Sequence, residues 1–257
     1  MQRRCEKRSF NPRLRFSPGP AFHRRVSLNR KHVIELRNVS CTRNETGIPS
    51  SAHDISVSLD AGTVTLFAGE RGCGKNLILR LLGLLETPDR GEVIIGGSRM
   101  SAMAKERVCD LRDTACGYVF SPPFLLPGFT VMENIAMPLF KIFDMPPIDA
   151  QERTELLIEF VQLTKFITEK IDYLSLGLQL RVGLARALGS HPPLLIVEEP
   201  DLILAGAEMA AFRKLLLRAA QEFACAVAVS VGAEIAAMPG ERRIECVDGR
   251  IVCDVLP

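Results

Sequence analysis

The chain has 257 residues, of which 47% are hydrophobic and 24% charged, a composition typical of a globular protein with a substantial buried core. No stretch of about 18 apolar residues is free of charges or helix breakers, so the sequence predicts no transmembrane helix and membrane contact only through a partner. The eight cysteines include no C-x-x-C pair and no Cys/His cluster with zinc spacing, which favours reduced cytosolic thiols.

The net charge of +2 is unevenly distributed. Residues 1–32 contain ten Lys or Arg and one acidic residue, Glu6, so that residues 33–257 carry 22 basic and 29 acidic side chains, a net charge of −7. A domain this acidic does not neutralise the phosphates of a nucleic acid. We therefore expect no nucleic-acid partner.

The basic stretch 1–32 contains three prolines and lacks apolar periodicity, which predicts a disordered tail. A targeting sequence, a contact with anionic lipid and an over-called translation start remain open beside a plain solvated tail. An Arg-rich, acid-poor leader is compatible with a transit peptide, but no apolar segment supports secretion.

Strand and helix patterns alternate along the rest of the chain. The predicted strands are 33–39, 55–59, 63–68, 92–95, 194–197 and 226–231, followed by a hairpin of 244–247 and 250–252 that turns on Asp248-Gly249. Between them we predict a turn-rich stretch at 44–51, an apolar helix at 77–85 and a helical section at about 121–185, with one apolar face from Leu156 to Ile167. The alternation predicts an α/β sheet.

A glycine-rich segment connects the predicted strand 63–68 to the apolar helix. Its residues are Gly69, Glu70, Arg71, Gly72, Cys73, Gly74, Lys75 and Asn76, with Leu77 opening the predicted helix. Glycines let successive backbone N–H groups face one anion, and the N-terminus of a helix favours negative charge. Lys75 adds a cation for the outer phosphates of a nucleotide. This context favours a phosphate-binding loop over an ordinary glycine-rich turn.

The residue after Lys75 departs from the phosphate-loop pattern. A Ser or Thr hydroxyl at that position ligates Mg²⁺, but this chain has Asn76, whose longer amide side chain would displace the metal. The loop therefore indicates polyphosphate binding more strongly than Mg²⁺-dependent hydrolysis.

Five further segments have motif-like sequences in a consistent order. They are 88–93, 116–120 with 125–135, 174–188, 194–200 and 247–251. With them, residues 33–257 resemble the ATP-binding subunits of ABC transporters, especially the branch that serves lipoprotein release and macrolide export. The resemblance implies an α/β fold with a P-loop NTPase (ABC ATPase-like) core, an antiparallel β lobe and an inserted helical subdomain at about 121–185.

The family resemblance also implies partners. ATP with Mg²⁺ would lie between the phosphate loop of one copy and the signature helix of another, in a head-to-tail dimer of like or unlike chains. Closure on ATP would drive transmembrane permease subunits, which by family analogy dock on the helical lobe near 121–147. We therefore expect a cytoplasmic protein that is peripheral on the inner face of the cell membrane.

The resemblance assigns roles to single residues. The signature keeps Ser175 and Gly177, Glu198 aligns with the Walker B aspartate that serves Mg²⁺, and Glu199 aligns with the catalytic glutamate, the candidate general base. The alternative for the two acids, solvated side chains at a strand end, is disfavoured by the apolar strand before them. Arg43 aligns with the aromatic residue that stacks on adenine, and a guanidinium can also stack on a base.

Several family residues that contact metal, water or γ-phosphate are replaced in this chain. The replacements are Ser121 for the Q-loop glutamine, Leu176 and Leu178 in the signature, Ala205 for the D-loop aspartate and Val231 for the switch histidine. The apolar framework is retained, which indicates selection for a fold that assembles and a relaxed demand on turnover.

Two main hypotheses follow from this pattern. The first is a divergent but active ABC ATPase that energises transport, for which Lys75 and Glu199 are retained. The second is a pseudo-ATPase that binds nucleotide weakly or not at all and supports or regulates a permease complex. The number of lost contacts favours the second. A nucleic-acid-associated P-loop protein is a third possibility that the acidic core disfavours.

Overall fold

A computed structural model describes residues 32–45 and 48–257, which form two β-sheets and the helices packed on them. The strands are β1 (Ile34–Glu45), β2 (Ile48–Leu59), β3 (Val64–Ala68), β4 (Arg90–Ile95), β5 (Ser98–Arg99), β6 (Cys116–Val119), β7 (Leu194–Glu198), β8 (Ala226–Val231), β9 (Glu241–Val247) and β10 (Arg250–Val255). The α-helices are α1 (Lys75–Leu82), α2 (Lys105–Ala115), α3 (Val131–Lys141), α4 (Pro147–Phe160), α5 (Leu176–Leu188) and α6 (Gly206–Phe223).

The larger sheet has the strand order β10-β9-β3-β8-β7-β6. Its strands from β9 to β6 are parallel, and β10 pairs antiparallel with β9. Every residue of β3 and β8 is buried, because both faces of a parallel sheet are covered by other layers. The predicted α/β architecture is confirmed.

The smaller sheet is antiparallel, in the order β2-β1-β4-β5. The stretch 44–51, predicted as turn-rich, lies largely within β1 and β2, so that prediction was wrong. The pairing of β1 with β2 shifts register between Leu36 and Val39 and again before Cys41, and Asn38 has a φ of 48°. These bulges break the apolar alternation by which the strands would have been recognised.

Alternate residues of the parallel strands serve two separate cores. In β3, Val64, Leu66 and Ala68 pack with the helices α3 to α6, whereas Phe67 packs with α1 and the antiparallel sheet. The period-two alternation of strand side chains therefore places the parallel sheet between a helical layer and a layer that contains α1.

Helix α1 is buried along most of its length between the two sheets. It begins at Lys75, two residues before the predicted start, because Gly74 adopts the left-handed conformation and is the N-cap. It ends at Leu82, since Gly83 is the C-cap and Leu84 has a φ of 59°. The prediction of an apolar helix is confirmed with shifted bounds.

The helical section contains α3, α4 and α5, inserted between β6 and β7. Helix α3 begins with a capping box in which Thr130 and Glu133 bind each other's backbone N–H. The apolar residues predicted to share one helical face continue past the end of α4, and Val161 and Leu163 are buried beyond it. Within residues 32–45 and 48–257, none of the helices has the length and apolarity needed to cross a membrane.

The predicted tail 1–32 lies outside the described residues except for His32. The Nδ1 atom of His32 is 2.5 Å from Oδ1 of Asp60, next to the end of β2. The disorder predicted for residues 1–31 stays a prediction.

The turn between β9 and β10 supports the glycine-rich loop. Gly249 donates its N–H to the carbonyl of Cys73 at 2.8 Å and accepts the N–H of His53 at 2.7 Å. Asp248 and Gly249 have φ values of 45° and 73°, as a type I′ hairpin turn requires, which confirms the predicted turn. Backbone hydrogen bonds therefore join the loop, the hairpin and β2.

A buried ion pair fixes the segment that follows β8. Arg213 of α6 and Glu241 of β9 have side-chain exposures of 8% and 0%. The guanidinium donates to both carboxylate oxygens and to the carbonyl of Ala236. Glu241 also accepts the N–H of Met238 at 2.8 Å, so both side chains hold the turn between β8 and β9.

Substitution of Arg213 by Ala should strongly destabilise the fold, because it leaves the carboxylate of Glu241 buried without a counter-charge. We expect the free energy of unfolding, measured by urea titration, to fall by about 3–5 kcal/mol. The control is Arg112→Ala, which removes the surface partner of Asp113 and should cost less than about 1 kcal/mol. Equal losses for the two variants would contradict the role assigned to the buried pair.

Gly74 and Gly72 form a matched pair for testing the close packing of the loop. Both have left-handed φ values, 92° and 84°, but an added Cβ at Gly74 would lie 2.1 Å from the carbonyl oxygen of Ser51, whereas Gly72 has open space. Gly72→Ala should lower the free energy of unfolding by about 1–2 kcal/mol, because a residue with a side chain is strained in the left-handed conformation. Gly74→Ala should lower the free energy of unfolding clearly more, as measured by the same urea titration. A similar loss for both variants would show that the loop is not packed against β2.

Candidate functional site

Four parallel strands end at the same edge of the sheet. Val119 of β6 pairs with Val197 of β7, and Ala68 of β3 pairs with Val231 of β8. The residues that follow these strands, including Gly69, Ser121 and Glu199, therefore lie along one edge. The carboxyl edge of a parallel sheet is where such folds bind ligands.

The glycine-rich loop connects this edge to the N-terminus of α1. The side chains of Cys73 and Leu77 are buried in the core, so these two residues can offer a ligand only their backbone groups. Glu70 and Arg71 are exposed, and Gly69 is packed so closely that an added Cβ would lie 2.5 Å from the carbonyl oxygen of Cys246. The loop thus offers its backbone N–H groups and the N-terminus of α1, together with the side chain of Lys75.

Lys75 is buried and forms an ion pair with Glu199. Its Nζ is 3.1 Å from Oε1 of Glu199 and donates to the carbonyl of Glu70 at 3.3 Å. Glu199 has a left-handed φ of 44°, and its N–H donates to both the carbonyl and the Oγ of Ser230 at 3.1 Å. The structure therefore brings together the cation and the candidate base, and a polyphosphate would compete with Glu199 for the ammonium.

A second ion pair joins α1 to the end of β7. The Nε of Arg80 is 3.8 Å from Oε1 of Glu198, and the two side chains are 34% and 13% exposed. Sequence reasoning did not identify Arg80, because it is one polar residue within the apolar run of α1 and follows no motif. Glu198, which aligns with the Walker B aspartate, thus has the basic side chain of Arg80 beside it.

The buried side-chain oxygens without a hydrogen-bond partner include several at or next to predicted site residues, among them Oδ1 of Asn76, Oγ of Ser121 and Oδ1 of Asp201. Buried polar atoms in native proteins are nearly always paired, so these atoms mark places for water or a ligand. Asp201 was missed by sequence reasoning; its other oxygen accepts the N–H of Gly232 at 2.8 Å, just after β8.

The role of Asn76 and Glu198 as Mg²⁺ ligands stays a prediction, because their surroundings combine unpaired oxygens with basic side chains. Mg²⁺ requires octahedral oxygen ligands and usually one or two carboxylates. Asn76 and Ser121 offer neutral oxygens, but the carboxylates of Glu198 and Glu199 each face a basic side chain. Among the residues that the structure describes, no three His, Cys, Asp or Glu side chains group as metal ligands.

The retained signature residues have roles within this chain's own fold. Ser175 is the N-cap of α5, and its Oγ accepts the N–H of Leu178 at 3.3 Å. An added Cβ at Gly177 would lie 3.0 Å from Cδ2 of Leu204, so a glycine allows close packing there. Leu176, which replaces a glycine of the family, is 51% exposed and projects an apolar side chain from the helix N-terminus.

Val231, at the switch position, is fully buried in β8. Its carbonyl accepts the N–H of Gly69 at 3.2 Å, so its backbone supports the start of the loop. The side chain has no polar group with which to contact a phosphate.

Arg43 ties β1 to the segment after α1. Its guanidinium donates to Glu86 at 2.8 Å, to Asp89 at 2.9 Å and to the carbonyl of Thr87 at 2.5 Å. The hydrogen bonds that Arg43 donates to Glu86, first, and to Asp89 raise the pKa of the guanidinium above its usual value. Stacking of Arg43 on adenine stays a prediction.

Sequence comparison relates the chain to known proteins. The sequence model of the ABC transporter family matches residues 52–201, which include the glycine-rich loop and Glu199. The lipoprotein-releasing system ATP-binding protein LolD 1 of Chlorobium chlorochromatii (strain CaD3) is 30% identical over 201 residues, which is 78% of this chain and 82% of that protein.

Solved structures of ATP-binding cassettes share the fold. The dimeric post-hydrolysis state of the cassette MJ0796, bound to ADP and Pi, aligns with a TM-score of 0.74 and 26% identity over 86% of this chain and 97% of that one. The cbiO1 protein of Clostridium perfringens aligns with a TM-score of 0.78 and 18% identity over 88% and 89% of the two chains. Because the family model covers more than half of the sequence, the chain belongs to the ABC transporter family.

Proposed function

We propose that this chain is the ATP-binding subunit of an ABC-type transporter, that it couples nucleotide binding to a membrane permease, and that its ATP hydrolysis is weak or absent. One observation carries the proposal: the cation for the outer phosphates, Lys75, is in place, but it is paired with Glu199, while the polar groups that would contact water, metal and γ-phosphate are replaced.

Nucleotide binding is supported by the geometry of the loop. The N-terminus of α1, the backbone from Gly69 to Gly74 and the buried ammonium of Lys75 meet at the carboxyl edge of the sheet. This combination is suited to a polyphosphate because each element adds positive potential at one point. Two similar proteins are described by their names as ATP-binding or as bound to ADP and Pi.

Weak hydrolysis is supported by the residues that occupy the catalytic positions and by their contacts. A general base must accept a proton from water, but the carboxylate of Glu199 is held 3.1 Å from Lys75. Ser121 is too short to reach an attacking water in place of glutamine, and Val231 is buried and apolar. Each lost transition-state contact lowers the rate by about 10²-fold or more, although such losses do not simply add.

A working ATPase is the alternative. Lys75 and Glu199 are both present and adjacent, and a bound γ-phosphate that drew Lys75 away would leave the carboxylate of Glu199 able to act as a base. The two proposals differ in whether turnover depends on the phosphate loop.

Association with a permease and with a second cassette completes the proposal. The helical section and the segment before it expose several large apolar side chains, namely Phe124, Leu126, Phe129, Phe140, Ile142 and Ile148. Such a surface suits a protein partner, and we assign it to the cytoplasmic side of the permease, which would place the chain peripherally at the membrane. The dimeric cassette MJ0796 supports pairing with a like or unlike ATP-binding subunit.

Steady-state phosphate release distinguishes the two proposals. We expect the purified chain with ATP and Mg²⁺ to release phosphate no faster than its Lys75→Ala variant, because contacts needed in the transition state are missing. Circular dichroism spectra of the two proteins provide the control for folding. Turnover that is well above the background and is abolished by Lys75→Ala would establish an active ATPase instead.

Substitution of Glu199 by Gln should strengthen binding of a fluorescent ADP analogue, a ligand that hydrolysis cannot consume. The change removes a negative charge beside the phosphates and frees Lys75, and we expect the dissociation constant to fall about tenfold. Lys75→Ala should abolish binding, and Glu155→Gln, an exposed change on α4, should leave it unaltered. Unchanged or weaker binding by Glu199→Gln would contradict the competition between phosphate and carboxylate.

A further inference from the structure

Two consecutive glutamates form ion pairs with two basic residues at the carboxyl edge of the sheet. Glu198 and Glu199 lie at the end of β7, and each faces a basic side chain of the same helix, α1. The pairs are Lys75 with Glu199 at 3.1 Å and Arg80 with Glu198 at 3.8 Å, the second an ion pair too long for a hydrogen bond. Together the four side chains carry no net charge.

The exposure of these side chains makes the pairing effective. Lys75 and Glu199 are 4% and 18% exposed, and Glu198 is 13% exposed; only Arg80, at 34%, reaches solvent appreciably. Charges that are largely removed from water interact more strongly and are screened less by salt than surface pairs. The positive charge of Arg80 therefore acts on Glu198 and on its immediate surroundings.

In a metal-dependent phosphate loop, a hydroxyl after the lysine and an acid at the strand end hold Mg²⁺, and the metal neutralises the phosphates. In this chain the acid at that place already has a guanidinium beside it. A Mg²⁺ ion would have to compete with Arg80 for Glu198, at a position where Asn76 offers only a neutral amide oxygen.

Asn76 suits direct contact with a phosphate. Its amide carries two N–H donors as well as an oxygen acceptor, whereas a metal-binding hydroxyl serves the cation. The buried Oδ1 has no hydrogen-bond partner, and rotation of the terminal torsion exchanges the oxygen and nitrogen ends. The amide can therefore donate a hydrogen bond into the space where its oxygen is unpaired.

We propose that the phosphate loop of this chain binds nucleotide without a divalent cation, with Arg80 supplying at Glu198 the positive charge that Mg²⁺ would otherwise supply. The inference rests on the proposed nucleotide binding and adds the form of the ligand, metal-free ATP or ADP. It assigns to Arg80 a role in determining this specificity.

The experiment compares binding of a fluorescent ATP analogue to the full chain in MgCl₂ and in excess EDTA. For the unaltered chain we expect the two dissociation constants to agree within about twofold, because the acids are already neutralised. Arg80→Ala leaves Glu198 facing the phosphates, so binding in EDTA should weaken by about tenfold or more and recover in MgCl₂. Arg80→Lys retains the charge and should behave like the unaltered chain.

Arg112→Ala is the matched control, because Arg112 has the same 34% side-chain exposure and an acidic partner but lies on α2. Its dissociation constants should be the same with and without Mg²⁺. Either of two results would overturn this inference but leave the proposed nucleotide binding intact. One is binding by the unaltered chain that weakens about tenfold in EDTA, and the other is binding by the Arg80→Ala variant that shows no new dependence on Mg²⁺. Absence of binding under both conditions would overturn the proposed nucleotide binding, and the inference with it.

Discussion

Backbone hydrogen bonds hold the glycine-rich loop against its neighbours, and the geometry of the candidate site depends on them. Gly69 donates to the carbonyl of Val231, and Gly249 donates to that of Cys73. Glu199 is anchored in the same way to Ser230. Because these contacts are made by main-chain atoms, the substitutions at Ser121 and Val231 change the chemistry of the edge but leave its geometry in place.

The structure separates two reasons for which a motif residue can be retained. Ser175 caps a helix, and Gly177 permits contact with Leu204, so both are needed for packing whether or not a nucleotide lies nearby. Lys75 is different, because a buried ammonium has little value to a core and is costly unless paired. Its retention, with Glu199 as its partner, is therefore the stronger indication that phosphate binding matters to this chain.

Much of the fold could be predicted because its signals are local. A buried β-branched run predicts β3, the adjoining glycines and apolar residues predict the loop and α1, and Asp248-Gly249 predicts the last turn. The antiparallel strands β1 and β2 were only partly recognised, since bulges interrupt their periodicity. The pair formed by Arg80 and Glu198 could not be foreseen, because it joins residues far apart in sequence that meet only when α1 packs beside β7.

The hairpin of β9 and β10 has a consequence for how the molecule is made. Its turn completes the support of a loop that precedes it by more than half of the sequence. Domains emerge from the ribosome N-terminal part first, and contacts between distant segments form late. A nascent chain that already contains the loop thus lacks these supporting hydrogen bonds until β9 and β10 have been synthesised.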